Sequence, residues 1–240
     1  MISYEKEKNE YFKGLKIKEG LYLSNVNDYY EGLKKAFDDA FNQYARRKGE
    51  SYANSKDELI KEVLETLFNF LNDEKLSFED CFKTSCGHAL KIFNNNQFGL
   101  AQKFVNMAFK NLSCYADYDK YKEKFNNCHM PLDRFTLKWV RCLGDKEINQ
   151  RLAKINFAWS KIDEKLYWDI QALIAERLAT GFSYKINYGK ESDSVFLTLP
   201  TNSLESEFIV WHQEQINELR TMVLRYKKDD LERAGISVVE

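Results

Sequence analysis

The sequence predicts a mainly α protein, a compact orthogonal multi-helix domain with a small C-terminal β-hairpin. Three observations lead there. Gly and Pro number only 10 and 2 in 240 residues, too few for a turn-rich all-β design. Lys, Glu, Leu, Asn and Phe are abundant, a composition that favours long helices. Apolar residues recur at helical spacing along most of the chain and alternate only near residues 182–199.

The elements follow in order. Asn27 or Asp28 can cap a helix to about residue 47, and Ser55 with Glu58 three residues later forms a capping box for a second, to about residue 71. Ser77 followed by Asp80 opens a third, with Phe82, Cys86, Leu90 and Phe93 on one stripe, ended by the polar turn Asn94-Asn95-Asn96. A fourth runs from near Gly99 to Leu112 with Leu100, Phe104, Met107 and Ala108 buried, which places Lys103, Asn106 and Lys110 together on another face. Residues 113–130 read as a connection holding a short Lys-rich helix. Pro131 suits the first turn of the next helix, whose buried stripe is Leu132, Phe135, Trp139 and Leu143. Two more helices cover about 145–157 and 162–179, ended by Gly181. Strands at 182–188 and 194–199 then flank Gly189-Lys190-Glu191, and a last helix runs from about 203 to 228 with Phe208, Trp211, Ile216, Leu219, Val223 and Tyr226 on its stripe.

At 240 residues and 44% hydrophobic content the chain can bury a core as one domain. It divides at most into two packed helical subdomains, about 1–80 with 145–240, and about 81–144. The N-terminal MISYEKEKNEYFKG has no apolar run, and no stretch approaches a membrane span. Five cysteines without a secretory signal point to reduced thiols and a cytoplasmic protein. Net charge is −1, but residues 81–144 carry ten Lys or Arg against four Asp or Glu, a local basic excess suited to phosphates.

The stretch from Asn94 to Leu112 has the order helix, polar turn, Gly-x-Ala, helix, with Gly99, Ala101, Lys103 and Asn106 at its start. Pro131-Leu132-Asp133, Arg134, Lys138 and Leu143-Gly144 follow. This resembles the helix-hairpin-helix DNA glycosylases, the endonuclease III and 8-oxoguanine glycosylase superfamily, over about 50 of the 240 residues. There Gly-x-Gly-x-Lys-x-x-Asn opens the second helix of the hairpin, and a Pro/Val-Asp element supplies a carboxylate. Here Ala101 replaces the second Gly, the Lys103 to Asp133 spacing is 30 residues, and no cysteine follows Cys142 to form an iron–sulfur cluster. The A-Q-K-x-x-N and P-x-D-R stretches also resemble a group of uncharacterised prokaryotic proteins.

The resemblance implies a base-excision glycosylase, with DNA as partner and no cofactor. Its catalytic pair would be Lys103, attacking the sugar C1′ through a Schiff base that also permits lyase chemistry, and Asp133, stabilising positive charge on the sugar. Gly99 and Ala101 at the hairpin, with Asn106, Lys110, Arg134 and Lys138, would contact the nucleic acid. The alternative is a non-catalytic helical module that binds nucleic acid or protein. Tyr115, Tyr118 and Tyr121 are the best base-stacking candidates beside lysines. Cys81, Cys86, His88, Cys114, Cys128 and His129 offer soft ligands at spacings poor for zinc, so no metal site is expected.

Overall fold

Fourteen of the fifteen residues of one helix, α5 (Phe98–Leu112), are buried, and the rest of the chain is arranged around it. The computed structural model describes residues 3–48, 53–92, 97–187 and 194–233. Ahead of α5 come α1 (Tyr4–Leu15), α2 (Tyr29–Lys48), α3 (Ala53–Asn72) and α4 (Phe78–Ile92). After it come α6 (Lys122–Phe125), α7 (Arg134–Cys142), α8 (Lys146–Lys154), α9 (Glu164–Ala179), strands β1 (Ser183–Asn187) and β2 (Ser194–Thr198), and α10 (Ser203–Arg233). The strands pair antiparallel, Ser183 opposite Thr198 and Asn187 opposite Ser194. The described residues are thus mainly helical, with a small two-stranded antiparallel sheet. Among the described residues no helix is long and apolar enough to cross a membrane.

Helix α2 lies along α5. Phe37 and Phe41 meet Phe104 at 5.9 and 5.7 Å between ring centroids, and Gly32 brings the backbones close. Its N–H donates to the Tyr115 hydroxyl at 3.1 Å and its carbonyl accepts from Asn111 Nδ2 at 2.8 Å. A Cβ at Gly32 would stand 2.8 Å from that hydroxyl, so the small residue lets the two helices be stapled. Helix α4 packs against α5 and α3, and α10 against α7 and α1.

Helix α1 is unexpected from periodicity, because its stripe is sparse. It is capped by Ser3, carries Glu5 and Glu7 in its first turn and Lys13 in its last, as the helix dipole favours. Tyr4 and Tyr11 hold it edge-on against Phe208 of α10, at 5.8 and 5.3 Å. Two starts also differ from expectation. Helix α3 begins at Ala53, ahead of Ser55. Helix α7 begins after Asp133, leaving Pro131 outside, because Asp133 and Thr136 form a reciprocal capping box and Pro131 contributes only a carbonyl to Thr136 Oγ1 at 2.9 Å. Phe93, the turn at Asn94-Asn95-Asn96 and the hairpin tip Gly189-Lys190-Glu191 lie outside the described residues, as do the side chains of Val223 and Tyr226.

Two stacking candidates are core residues instead. Tyr115 is buried, with its hydroxyl donating to the Asp28 carbonyl at 2.9 Å, and Tyr118 is buried with its hydroxyl toward Glu205 at 3.5 Å. Tyr121 is half-buried. Tertiary partners on α2 and α10 draw these rings inward, which the lysines beside them in sequence did not reveal.

Candidate functional site

Lys103 and Asp133 line one cleft of about 660 Å³, within the ~300–1,000 Å³ usual for small-molecule sites. Its floor is one face of α5, carrying Lys103, Met107 and Lys110 at spacings of four and three. Met107 takes the place expected for Asn106. Because α5 is buried on all sides, its apolar pattern could not tell one face from another.

Lys103 is 8% exposed. Its ammonium donates to the Asp39 carbonyl at 3.3 Å and stands 4.7 Å from the centre of the Trp159 ring, a cation–π distance. Asp133 reaches the cleft as the cap of α7. Oδ1 accepts from the backbone N–H of Phe135 at 2.8 Å and of Thr136 at 3.1 Å, while Oδ2 accepts from Trp211 Nε1 at 3.2 Å. Oδ2 is thus the oxygen with the fewer protein donors. Trp159, Trp211, Phe135 and Phe157 provide flat apolar wall. Phe157 and Asn156 hold left-handed backbone, φ 52° and 54°, an uncommon conformation for a bulky residue and one that clusters at functional sites.

A second cleft of about 630 Å³ adjoins the first and shares Tyr11, Asp39, Lys110, Trp211 and Gln215 with it. Between them lies a buried ion pair that sequence reasoning missed. Lys110 Nζ is 2.5 Å from Glu207 Oε2, with both side chains 1% exposed. The ammonium also faces the rings of Tyr11 at 4.0 Å, Phe208 at 4.9 Å and Trp211 at 5.1 Å. Burial pushes the Glu207 carboxyl up to about 7; Lys110 opposes that rise and Asp133 adds to it. The native state therefore binds more protons than the unfolded chain, where a glutamate titrates near ~4.3. This group's contribution to stability is full below that value and is lost as pH rises through about 7. Urea titrations should show it as a decline in stability from about pH 5 to 8, removed in the Lys110→Met/Glu207→Leu double variant.

The other expected contacts fall elsewhere. Asn106 is fully buried and does not line the cleft, donating instead to Gln102 Oε1 at 3.2 Å and to the Tyr167 hydroxyl at 3.0 Å. Ala101 is fully buried and Gly99 packs under the 3-10 turn Trp159–Lys161. A Cβ at Gly99 would stand 2.8 Å from Ser160 C and 2.9 Å from its Cα. The glycine therefore admits a neighbouring backbone where the resemblance reserved it for phosphate. Gly99→Ala should cost about 1–3 kcal/mol, read by urea denaturation, and should displace the turn that sets Trp159 beside Lys103.

Arg134 lies at the cleft and Lys138 one turn on, and both pair with Glu218 of α10, Arg134 at 3.0 Å. Lys138 first and Arg134 next hold the Glu218 carboxyl below its usual range. Lys122 pairs likewise with Glu205 at 3.5 Å. The basic excess of residues 81–144 is therefore met at Lys110, Lys122, Arg134 and Lys138 by acids of α10. Thiols are also engaged locally: Cys81 donates to the Thr66 carbonyl at 3.7 Å and Cys128 to that of Lys124 at 3.8 Å. His88 pairs with Glu62 at 2.9 Å, and among the described residues no three His, Cys, Asp or Glu stand together as a metal site.

No family model matches the chain, and no curated protein or solved structure matches it either.

Proposed function

We propose that the protein is a base-excision DNA glycosylase with Lys103 as nucleophile and Asp133 as its electrostatic partner, and with abasic-site lyase activity through a Schiff base. One observation carries the reading. An amine and a carboxylate 30 residues apart in sequence line the same aromatic-walled cleft. A flipped base is flat and would stack on Trp159 or Trp211. Once the Lys103 ammonium has given up a proton to water, its amine would attack C1′, the C1′–N bond would break with its electron pair leaving on the base, and the base would take up a proton. Loss of the second amine proton as the sugar ring opens gives the imine. Asp133 would stabilise the positive charge that develops on the sugar.

The pairing of Arg134 and Lys138 with Glu218 favours the second reading, a non-catalytic helical module, because phosphate would have to displace that carboxylate. Base release decides between them. Duplexes carrying oxidised, alkylated or deaminated bases are incubated with the protein and with Asp133→Asn, whose asparagine still caps α7. Release from one lesion class is expected, slowed about 100- to 1,000-fold in the variant. No release from any lesion would leave the non-catalytic module.

A further inference from the structure

Residues 130–133 lie outside helix and strand, yet side chains hold their backbone group by group. Gln171 Nε2 donates to the Met130 carbonyl at 2.7 Å, and Thr136 Oγ1 donates to the Pro131 carbonyl at 2.9 Å. The Asp133 N–H donates back to Thr136 Oγ1 at 2.8 Å. Leu132, between them, is held at both of its backbone groups by one side chain. Gln102 Nε2 donates to the Leu132 carbonyl at 2.9 Å, and Gln102 Oε1 accepts from the Leu132 N–H at 3.3 Å.

The same carboxamide is fully committed. Its second N–H donates to the Gly99 carbonyl at 3.0 Å, and its oxygen also accepts from Asn106 Nδ2 at 3.2 Å. Two donors and two lone pairs exhaust an amide's capacity. Only one orientation fits, because a flipped amide would set its NH₂ against the Leu132 N–H. Asn106 is oriented in turn by the Tyr167 hydroxyl, which meets His129 Nδ1 at 2.8 Å. Burial lowers the His129 pKa to about 4, so its ring is neutral at physiological pH. Asn106 thus donates in both directions, to Tyr167 on one side and to Gln102 on the other.

We propose that Gln102 is the positioning residue of the site, tying the backbone that carries Asp133 to the helix that carries Lys103. The two functions sit side by side on α5: Lys103 sends its amine into the cleft, and its neighbour Gln102 grips the segment that delivers the carboxylate. This explains the buried Gln and Asn of the A-Q-K-x-x-N stretch, which do not line the Lys103 cleft. The inference rests on the reading of Lys103 and Asp133 as the catalytic pair. Misplacement of about 1 Å by a residue remote from the chemistry can cost about 100-fold in rate.

The test combines exchange with single-turnover kinetics on the lesion duplex that the unmodified protein processes best. In Gln102→Met the Leu132 amide should exchange about 100-fold faster while amides in the middle of α5 keep their protection. Base release should slow about 100-fold with duplex affinity held within about threefold, and Gln102→Met should add less than about threefold in an Asp133→Asn background. Gln102→Glu is the milder variant. Its rate relative to the unmodified protein should rise as pH falls from about 8 to 5, because a protonated carboxyl again donates to the Leu132 carbonyl. Unchanged Leu132 exchange, or losses that multiply fully in the double variant, would overturn the proposal. If the unmodified protein releases no base, the catalytic reading fails and its positioning claim with it; the exchange result would still decide whether Gln102 holds Leu132.

Discussion

Above about pH 8, where Glu207 beside Lys110 is ionised, Lys110→Met should lower stability by about 3–5 kcal/mol, because it leaves the Glu207 carboxyl without its cation in a site 1% exposed. For a domain of this size the fall in Tm is on the order of 10 °C. The double variant Lys110→Met/Glu207→Leu should recover most of that loss. A buried ion pair gains little over well-packed apolar residues, since desolvating both charges offsets their attraction. The rings of Tyr11, Phe208 and Trp211 already surround the ammonium and would pack against methionine. Equal instability of single and double variants, by calorimetry or urea denaturation, would show that the pair is irreplaceable for the fold.

Lys103→Ala should reduce base release by about a thousandfold or more while leaving duplex affinity within about threefold. The difference arises because Lys103 is buried in the cleft, held by the Asp39 carbonyl and Trp159. Its fold should survive, since the amine makes one hydrogen bond and one ring contact that alanine leaves to water in an open cleft. Parallel loss of affinity and rate, measured by titration and single-turnover assay, would reduce Lys103 to a binding contact.

Much of the fold was legible because local signals agreed with tertiary packing. Ser77 with Asp80 marks the start of α4, and the structure shows Ser77 Oγ accepting from the Asp80 N–H at 3.1 Å. Alternation at 182–199 marks the two strands. Helix α1 was not legible, because its docking depends on Phe208 and Trp211, nearly 200 residues away. Proline preference pointed to Pro131 as the start of α7, but Asp133 and Thr136 made the stronger cap.

The site divides in the same way. Lys103 and Asp133 stood out by residue type and order, and they share a cleft. Their partners did not stand out. A buried Gln102, an ion pair joining α5 to α10, and Trp211 donating across to Asp133 are products of long-range packing. Periodicity carries no trace of them. The basic excess of residues 81–144 was legible as a count, but only the fold shows Glu205, Glu207 and Glu218 facing those cations.

Reduction of a covalent intermediate tests the central claim most directly. The protein is mixed with lesion-bearing duplex and with duplex carrying an abasic site, in the presence of borohydride, and the adduct is digested and mapped by mass spectrometry. A stable protein–DNA adduct on the peptide containing Lys103, absent in Lys103→Ala, is the expected result. An absence of adduct on every duplex, or attachment at another lysine, would contradict the assignment of this cleft as a lysine-dependent glycosylase site.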